Sequence, residues 1–441
     1  MTPSMLLVSV WLCTTSLVTV SASQQLLVVL LDGFRWDYVE KLNLINFKRF
    51  YSQGARAEYV KNDFPTLSYP NYYSLMTGRH TETHGMTGNY MYDEVTHEYF
   101  LIGTNKEQYN AHWWDGGEPL WVTAVKQNTS SYMFYWPGCD VTILNTTPTY
   151  CDPYSHVPTL DDFRFALNQS LNLLANGTTN FAGVYHEQPD YVGHKHGPDS
   201  VELAETLHDV DIELGLVLDQ VKVSRNVSLN LVIMSDHGMT NIDPSRVINI
   251  TDVLNSEPGL YITVMDAGAI ASVYVGNTSS EERAFNLLKN FHANMTVYRK
   301  ADIPERYHYR HGKYVAEITC VADLGWVILQ PLFPSFPMKN TTNFHGTHGY
   351  DNDEVNMRGI FYGTGPYFKP GSKVEYIRAV DPYNVMCAIL NLKPAANNGS
   401  YERIAPLAVR IHGGNGHIMK PNHRLIQIFI LVSILFMFLI Y

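Results

Sequence analysis

The chain has 441 residues, 45% of them hydrophobic and 17% charged, which is too apolar for a disordered polypeptide and long enough for one large domain or two modest ones. Its 31 Lys and Arg against 42 Asp and Glu leave a formal net charge of -11. That excludes a general affinity for nucleic acid, which needs phosphate-neutralising basic clusters, so an anionic substrate has to be held locally.

The first element is an apolar run over residues 6–20, too short for a membrane span and followed by the small residues Val20, Ser21 and Ala22. It reads as a signal peptide over 1–22. Next, LLVVLL at 26–31 predicts a strand buried on both faces, and it runs directly into Asp32. Cys139 and Cys151 bracket a short loop and are the best disulfide pair; the spacing of Cys320 and Cys387 leaves them as free thiols, as partners of each other, or as a link between chains. NFAGVYH at 180–186 and LNLVIMS at 229–235 predict further buried strands, joined by an amphipathic helix over 201–221. The stretch of about 258–337 is less regular and reads as an inserted lobe, and a last strand is expected over 358–365. No repeat, heptad register or low-complexity linker interrupts this order. The fold class is therefore α/β, a mostly parallel central sheet flanked by helices with an inserted lobe, in a catalytic domain spanning 23–412.

The C-terminus carries small residues at 413–416, a polar spacer and an apolar tail over 425–441, the pattern of a GPI-anchor signal (413–441) with its attachment site near Asn415. A tail-anchoring helix is the alternative. Either places the body at the cell surface, on the extracellular face of the plasma membrane. The triplets beginning at Asn128, Asn145, Asn168, Asn176, Asn226, Asn249, Asn277, Asn294, Asn340 and Asn398 fit the N-glycosylation pattern and agree with that compartment.

Chemistry is concentrated at strand ends, where open α/β sheets bind ligands. Asp32 follows the first strand and Asp236 and His237 follow 229–235. Asp190 and His194 follow 180–186, and His348 precedes 358–365. A lone strand-end Asp is more often a cap or turn residue, and a lone His a surface or core residue. Several coincidences in one chain outweigh that reading: three Asp and three His supply the ligands of two zinc-like ions. A nucleophile fits DFPTLSYPNYY, where Pro70 demands a helix beginning near Ser68. The helix dipole and an adjacent dication would favour an alkoxide there. Thr66 is the rival, and an ordinary Ser N-cap is the bland alternative; the residues alone do not choose.

The ordered set DGFRWDY, LSYPNYYSLMTGRHTETHGMTGN, YHEQPDYVGHKHGP, SDHGM and HGYDN resembles the ectonucleotide pyrophosphatase/phosphodiesterase family of the alkaline phosphatase superfamily, from Gln25 to about Glu402. SYPNYYSLMTGRH, YMFYWPGCDV and YNVMCAILNLKP with NNGS look like its choline-specific glycerophosphodiesterase branch, which uses a serine nucleophile. The resemblance implies Ser68 as nucleophile, one zinc held by Asp190, His194 and His348, a second by Asp32, Asp236, His237 and the Ser68 oxygen, and Asn89 as donor to a phosphate oxygen. It implies hydrolysis of glycerophosphocholine or lysophosphatidylcholine to phosphocholine through a phosphoserine, with phosphate contacts from Asp32, Ser68, Asn89, Asp190 and His348. The chain departs from the branch at Thr347, where a bulkier aromatic is expected. His345 lies close to the ligand position, and ERIAPLAVR lacks a cysteine that could bridge a covalent dimer; a non-covalent homodimer stays open.

A quaternary ammonium cannot donate a hydrogen bond and must be held by aromatic faces and carboxylates. Tyr72, Tyr73, Tyr135, Trp136, Tyr154 and Tyr185 are the candidates, with Glu187 as counter-charge, and Tyr72, Trp136 and Tyr185 are expected to contact the substrate. Core packing is the commoner role of such rings. The alternatives in the same class are nucleotide pyrophosphatase/phosphodiesterase and sphingomyelin phospholipase C activity. A catalytically silent surface binding protein is the alternative from another class, and it would lack a ligand or the nucleophile.

Overall fold

Six successive apolar residues leave a strand no polar face, so Gln25–Leu31 has to be covered on both sides, and each of its residues is buried. In this computed structural model, which describes residues 24–224, 229–330 and 344–409, it lies fifth in an eight-stranded sheet. The order is Ser372–Arg378, Ala55–Lys61, Phe361–Thr364, Leu229–Met234, Gln25–Leu31, Phe181–His186, Ser131–Phe134 and Tyr150–Asp152. All neighbours are parallel except Phe361–Thr364, which runs antiparallel to both of its own. The signal and anchor segments, Asn415, and the sequons at Asn226 and Asn340 lie outside the described residues.

The register matters for function. Leu30 sits opposite both Tyr185 and Met234, so the three central strands end level and deliver Asp32, Glu187 and Asp236 to one edge of the sheet. The helix Val201–Ser224 makes the crossover between the outer two of these strands, somewhat longer than the 201–221 read from the sequence. On the same sheet packs Leu160–Ala175, whose first turn is closed by a capping box between Thr159 and Asp162.

Within the irregular stretch expected at 258–337 lies a second, antiparallel sheet, ordered Ile262–Met265, Ile270–Val275, Ile318–Ala322 and Met295–Arg299. It has its own apolar core around Val264, Val273, Ile318 and Cys320. Cys320 and Cys387 are buried free thiols in different cores, so they do not pair with each other. Among the described sequons, Asn128, Asn145, Asn176, Asn249, Asn277 and Asn398 are exposed, whereas Asn168 and Asn294 are half-buried. No helix among the described residues is long and apolar enough to cross a membrane.

Cys139 and Cys151 form a disulfide. It ties the loop after Ser131–Phe134, which carries Pro137, Gly138 and Asp140, to the edge strand Tyr150–Asp152. Closing a loop of this size stabilises a fold by about 3 kcal/mol. Replacing both cysteines by serine should lower the urea midpoint correspondingly while leaving the sheet intact by far-ultraviolet circular dichroism.

Candidate active site

Ser68 opens the helix Ser68–Thr77, which has Pro70 in its first turn and stops at Gly78 in the left-handed conformation. Leu67 occupies the N-cap position and no side chain caps the helix, so the Ser68 hydroxyl is not spent on capping. Instead Ser68 Oγ lies 3.1 Å from His237 Nε2. Thr66 has the opposite fate. Fully buried, its hydroxyl donates to Tyr350 O at 2.9 Å and accepts from Gly349 N–H at 3.1 Å, so it cannot serve as nucleophile and fastens the His348 loop instead.

The six predicted ligands meet in one place. Asp190, His237 and His348 form one group whose ligand atoms all lie within 4.8 Å of one another, and Asp32, Asp236 and His237 form a second. His194 Nε2 is 3.1 Å from His348 Nε2 and 3.3 Å from Asp190. The exposed His345 belongs to neither group, whereas the buried His348 does. Gly33 makes the convergence possible: its φ is +68°, and a Cβ there would lie 2.9 Å from the Asp190 side chain. Its N–H donates to Asp236 Oδ1 at 3.1 Å, tying two ligand loops together. Arg35 does the same from further out, donating to Asp37 and to Met239 O.

Each imidazole gives its Nδ1–H to a backbone carbonyl at 2.9 Å: His194 to Gly346, His237 to Gly238 and His348 to Thr66. That leaves all three Nε2 atoms turned toward the carboxylates, the arrangement that readies histidine for a metal. The carboxylates show the complementary signature. Asp32 Oδ1, Asp190 Oδ1 and Asp236 Oδ2 are sealed from water without a hydrogen-bond partner, a costly state for an acid unless a cation is shared. Burial, then the charge of Asp190, raises the Asp32 carboxyl above the usual range, and burial, then the charge of Asp32, raises that of Asp236. Burial pulls His237 down, but Asp236 and Asp32 outweigh it and hold it up at about 10. For His348, burial and the neighbouring His237 charge leave it well below the ordinary value. The donor set fits two divalent cations.

A cleft of about 700 Å³ opens over this cluster. Asn89 lines it, and because Tyr69 N–H donates to Asn89 Oδ1 at 3.1 Å, the Asn89 NH₂ remains as a donor at the wall. Tyr185 lines it as expected, but its hydroxyl is engaged by Asp32 Oδ2 at 2.5 Å. Tyr154 stands edge-on to it, ring centroids 6.0 Å apart, and donates to Glu187. Tyr72 and Trp136 are not brought to the cleft. Tyr72 lies one helical turn below Ser68, packed on Tyr69, and Trp136 turns inward against Trp121 and Gly183. The walls contain residues the sequence reading missed: Tyr69, Tyr90, Tyr109, Trp114, Asp140 and Asp266. Tyr69 was findable as the neighbour of Ser68 in the first helical turn; Asp266, on a left-handed turn (φ 57°) between two lobe strands, carried no local signal.

The sequence model of the family described as type I phosphodiesterase / nucleotide pyrophosphatase matches residues 26–351. The chain is 36% identical over 386 residues to the bis(5'-adenosyl)-triphosphatase enpp4 of Xenopus laevis, covering 87% of this chain and 81% of that protein. It is 33% identical over 412 residues to the human ectonucleotide pyrophosphatase/phosphodiesterase family member 5, covering 92% and 83%. Murine ectonucleotide pyrophosphatase/phosphodiesterase 5, solved as an inactive variant in complex with AMP, superposes with a TM-score of 0.78 at 34% identity, covering 88% of this chain and all of that one. These names point to nucleotides, and the expected choline-specific branch, lipid substrates, GPI anchor and homodimer gain no support from them. The chain belongs to the type I phosphodiesterase / nucleotide pyrophosphatase family.

Proposed function

We propose that the chain is a metal-dependent phosphodiesterase in which Ser68 takes the phosphoryl group. The observation that carries this is the placement of an uncapped, half-buried helix-start hydroxyl beside a cluster of three carboxylates and three inward Nε2 atoms. Asp190, His194 and His348 would hold one dication, and Asp32, Asp236 and His237 a second, zinc by the mixture of imidazole and carboxylate. Bound there, such ions supply positive charge to a phosphate oxygen and ease deprotonation of a nearby hydroxyl.

The chain's own groups do the rest. The first turn of the Ser68 helix turns the positive end of its dipole toward an anion. The Asn89 NH₂ donates to a phosphate oxygen as charge develops, worth about 2.7–4 kcal/mol in comparable sites. Ser68 Oγ releases its proton to solvent and bonds to phosphorus as the bond to the leaving oxygen breaks, and the leaving oxygen takes up a proton from solvent. Water then displaces Oγ from phosphorus, giving up one proton to solvent as Oγ regains one.

Two substrate classes fit this machinery. Nucleotide phosphodiesters and pyrophosphates are the reading favoured by the relatives, and the ring of Tyr185 or Tyr154 offers a base a stacking surface. A choline phosphodiester is favoured by the charge of this cleft. Its walls carry Asp140, Glu187 and Asp266 against Lys195, the only Lys or Arg among the described lining residues. Glu187, pushed up to about 7 by burial, stands by Tyr154 and Tyr185 where a cationic headgroup would be held. The two end segments and the exposed sequons support an extracellular, lipid-anchored enzyme, for which phosphatidylinositol-specific phospholipase C should release activity from intact cells; retention on the cells refutes the anchor.

Ser68→Ala should lower turnover by about three orders of magnitude or more at unchanged metal content, and substantial residual turnover refutes the nucleophile. Chelation should abolish activity, with zinc restoring it. Phosphocholine release from glycerophosphocholine and AMP release from a diadenosine polyphosphate, measured side by side, decide the substrate class. If choline is the substrate, Glu187→Gln should cut the first rate by about tenfold and spare the second; if nucleotides are, AMP release dominates and the variant leaves it unchanged.

A further inference from the structure

Behind the Ser68 helix lies a second group of side chains that the transfer chemistry does not use: Asp63, Ser74, His80 and His84, none more than 6% exposed. Acid, imidazole and hydroxyl in contact have the composition of a nucleophilic triad, but the protons run the wrong way for one. Met86 N–H donates to His84 Nδ1 at 3.0 Å, so His84 carries its hydrogen on Nε2 and gives it to Ser74 Oγ at 2.9 Å. Ser74 in turn donates to Asp63 Oδ2 at 2.8 Å. With no base to take its proton and no access to solvent, Ser74 is not a nucleophile. From the other side His80 Nδ1–H donates to Asp63 Oδ1 at 2.9 Å. The carboxylate therefore collects one donor from the helix and one from the turn that follows it.

The backbone repeats the arrangement. Asp63 N–H donates to Asn71 Oδ1 at 2.7 Å, and the Asn71 NH₂ returns to the carbonyls of Asp63, Pro65 and Leu67 at 3.2, 2.9 and 2.9 Å. The segment leading into Ser68 is thereby fastened to the body of the helix that Ser68 begins. We propose that Asp63 is a positioning residue for phosphoryl transfer: its carboxylate locks this segment against the helix and so sets where the Ser68 hydroxyl stands relative to His237 and the metal-ligand carboxylates. The proposal rests on Ser68 being the nucleophile. Its leverage comes from geometry, since a misplacement of about 1 Å can cost a reaction roughly a hundredfold.

The lobe reaches the same clamp. The His80 ring stacks on His308 at 3.9 Å and 11°, and Glu82 N–H donates to His308 O at 3.0 Å. The charged and titratable groups facing His80 are Asp63, Glu82, His84, His308 and Arg378. Burial and Arg378 oppose its cation, but Asp63 and Glu82 outweigh them and raise it. The imidazolium–carboxylate pair is thus complete below the ordinary histidine value and weakens as pH rises through the raised one.

The test uses the purified, metal-loaded full chain and bis(4-nitrophenyl) phosphate. Asp63→Asn should lower kcat by about tenfold to a hundredfold with KM within about twofold and bound metal unchanged. His80→Asn, whose amide repeats the Nδ1–H donor without titrating, should keep kcat near the wild-type value at about pH 6 and lose part of the wild-type alkaline decline. An Asp63→Asn enzyme with wild-type kcat, or one whose loss of kcat follows a loss of metal, overturns the proposal. Should that variant fail to fold, Ser74→Ala gives the same readout: reduced kcat at unchanged KM supports the clamp and unchanged kcat overturns it. Full turnover by Ser68→Ala removes the nucleophile on which the proposal rests, whereas an inert Ser68→Ala beside an unaffected Asp63→Asn overturns the clamp alone.

Discussion

Three carboxylates held together out of water are the constraint on which the rest of the structure depends. Asp32, Asp190 and Asp236 are each at most 7% exposed, and each has an oxygen without a hydrogen-bond donor. Burying an ion costs several kcal/mol after relaxation, and gathering like charges adds to that cost. A chain tolerates such a cluster only where a stronger positive charge repays it. The fold accordingly brings several constraints together here: three parallel strands ending level, a left-handed glycine that lets two acids approach, and three backbone carbonyls that aim the imidazoles.

Much of this was legible because each ligand is local to its strand. A strand buried on both faces must be a continuous apolar run, and the residue at which the run stops is the one that emerges at the sheet's edge. LLVVLL before Asp32 and LNLVIMS before Asp236 state that relation within a few residues. Where two segments far apart decide the outcome, the same reasoning stops. Thr66 and Ser68 look alike in the sequence, and what separates them is a loop some 280 residues downstream whose carbonyl and N–H consume the Thr66 hydroxyl. Tyr72 lies four residues after Ser68, close to one helical repeat, yet only the first turn of that helix reaches the cleft and the next lies about 5 Å deeper. Trp136 follows Tyr135, whose φ of 57° bends the chain after its strand, and no periodicity announces that the indole then turns into the core.

The same distinction divides chemistry from substrate choice. The reacting centre is built from strand ends, while the walls come from the helix start, the disulfide-tied loop around Gly138, and the lobe that supplies Asp266. Loops of separate origin can change independently of the centre and of one another, which is how one set of metal ligands serves many esters within a family. Membership in the family therefore carries the reaction further than it carries the substrate.

Charge then decides how such walls act. A dinucleoside polyphosphate brings negative charge beyond the phosphate being cleaved, and that excess has to lie along walls bearing Asp140, Glu187 and Asp266 with Lys195 as the lone fixed cation among the described lining residues. At an effective dielectric near 20, two like charges about 4 Å apart cost about 4 kcal/mol, and screening by salt is weak inside a cleft. Burial softens the penalty by raising the Glu187 carboxyl to about 7 and the Asp266 carboxyl well above its ordinary value. A neutral carboxyl can donate to a polar substrate, whereas an ionised one attracts a cationic headgroup. The charge of these walls, set by burial and by whatever binds, thus acts on a substrate independently of the reacting centre that the strand ends fix.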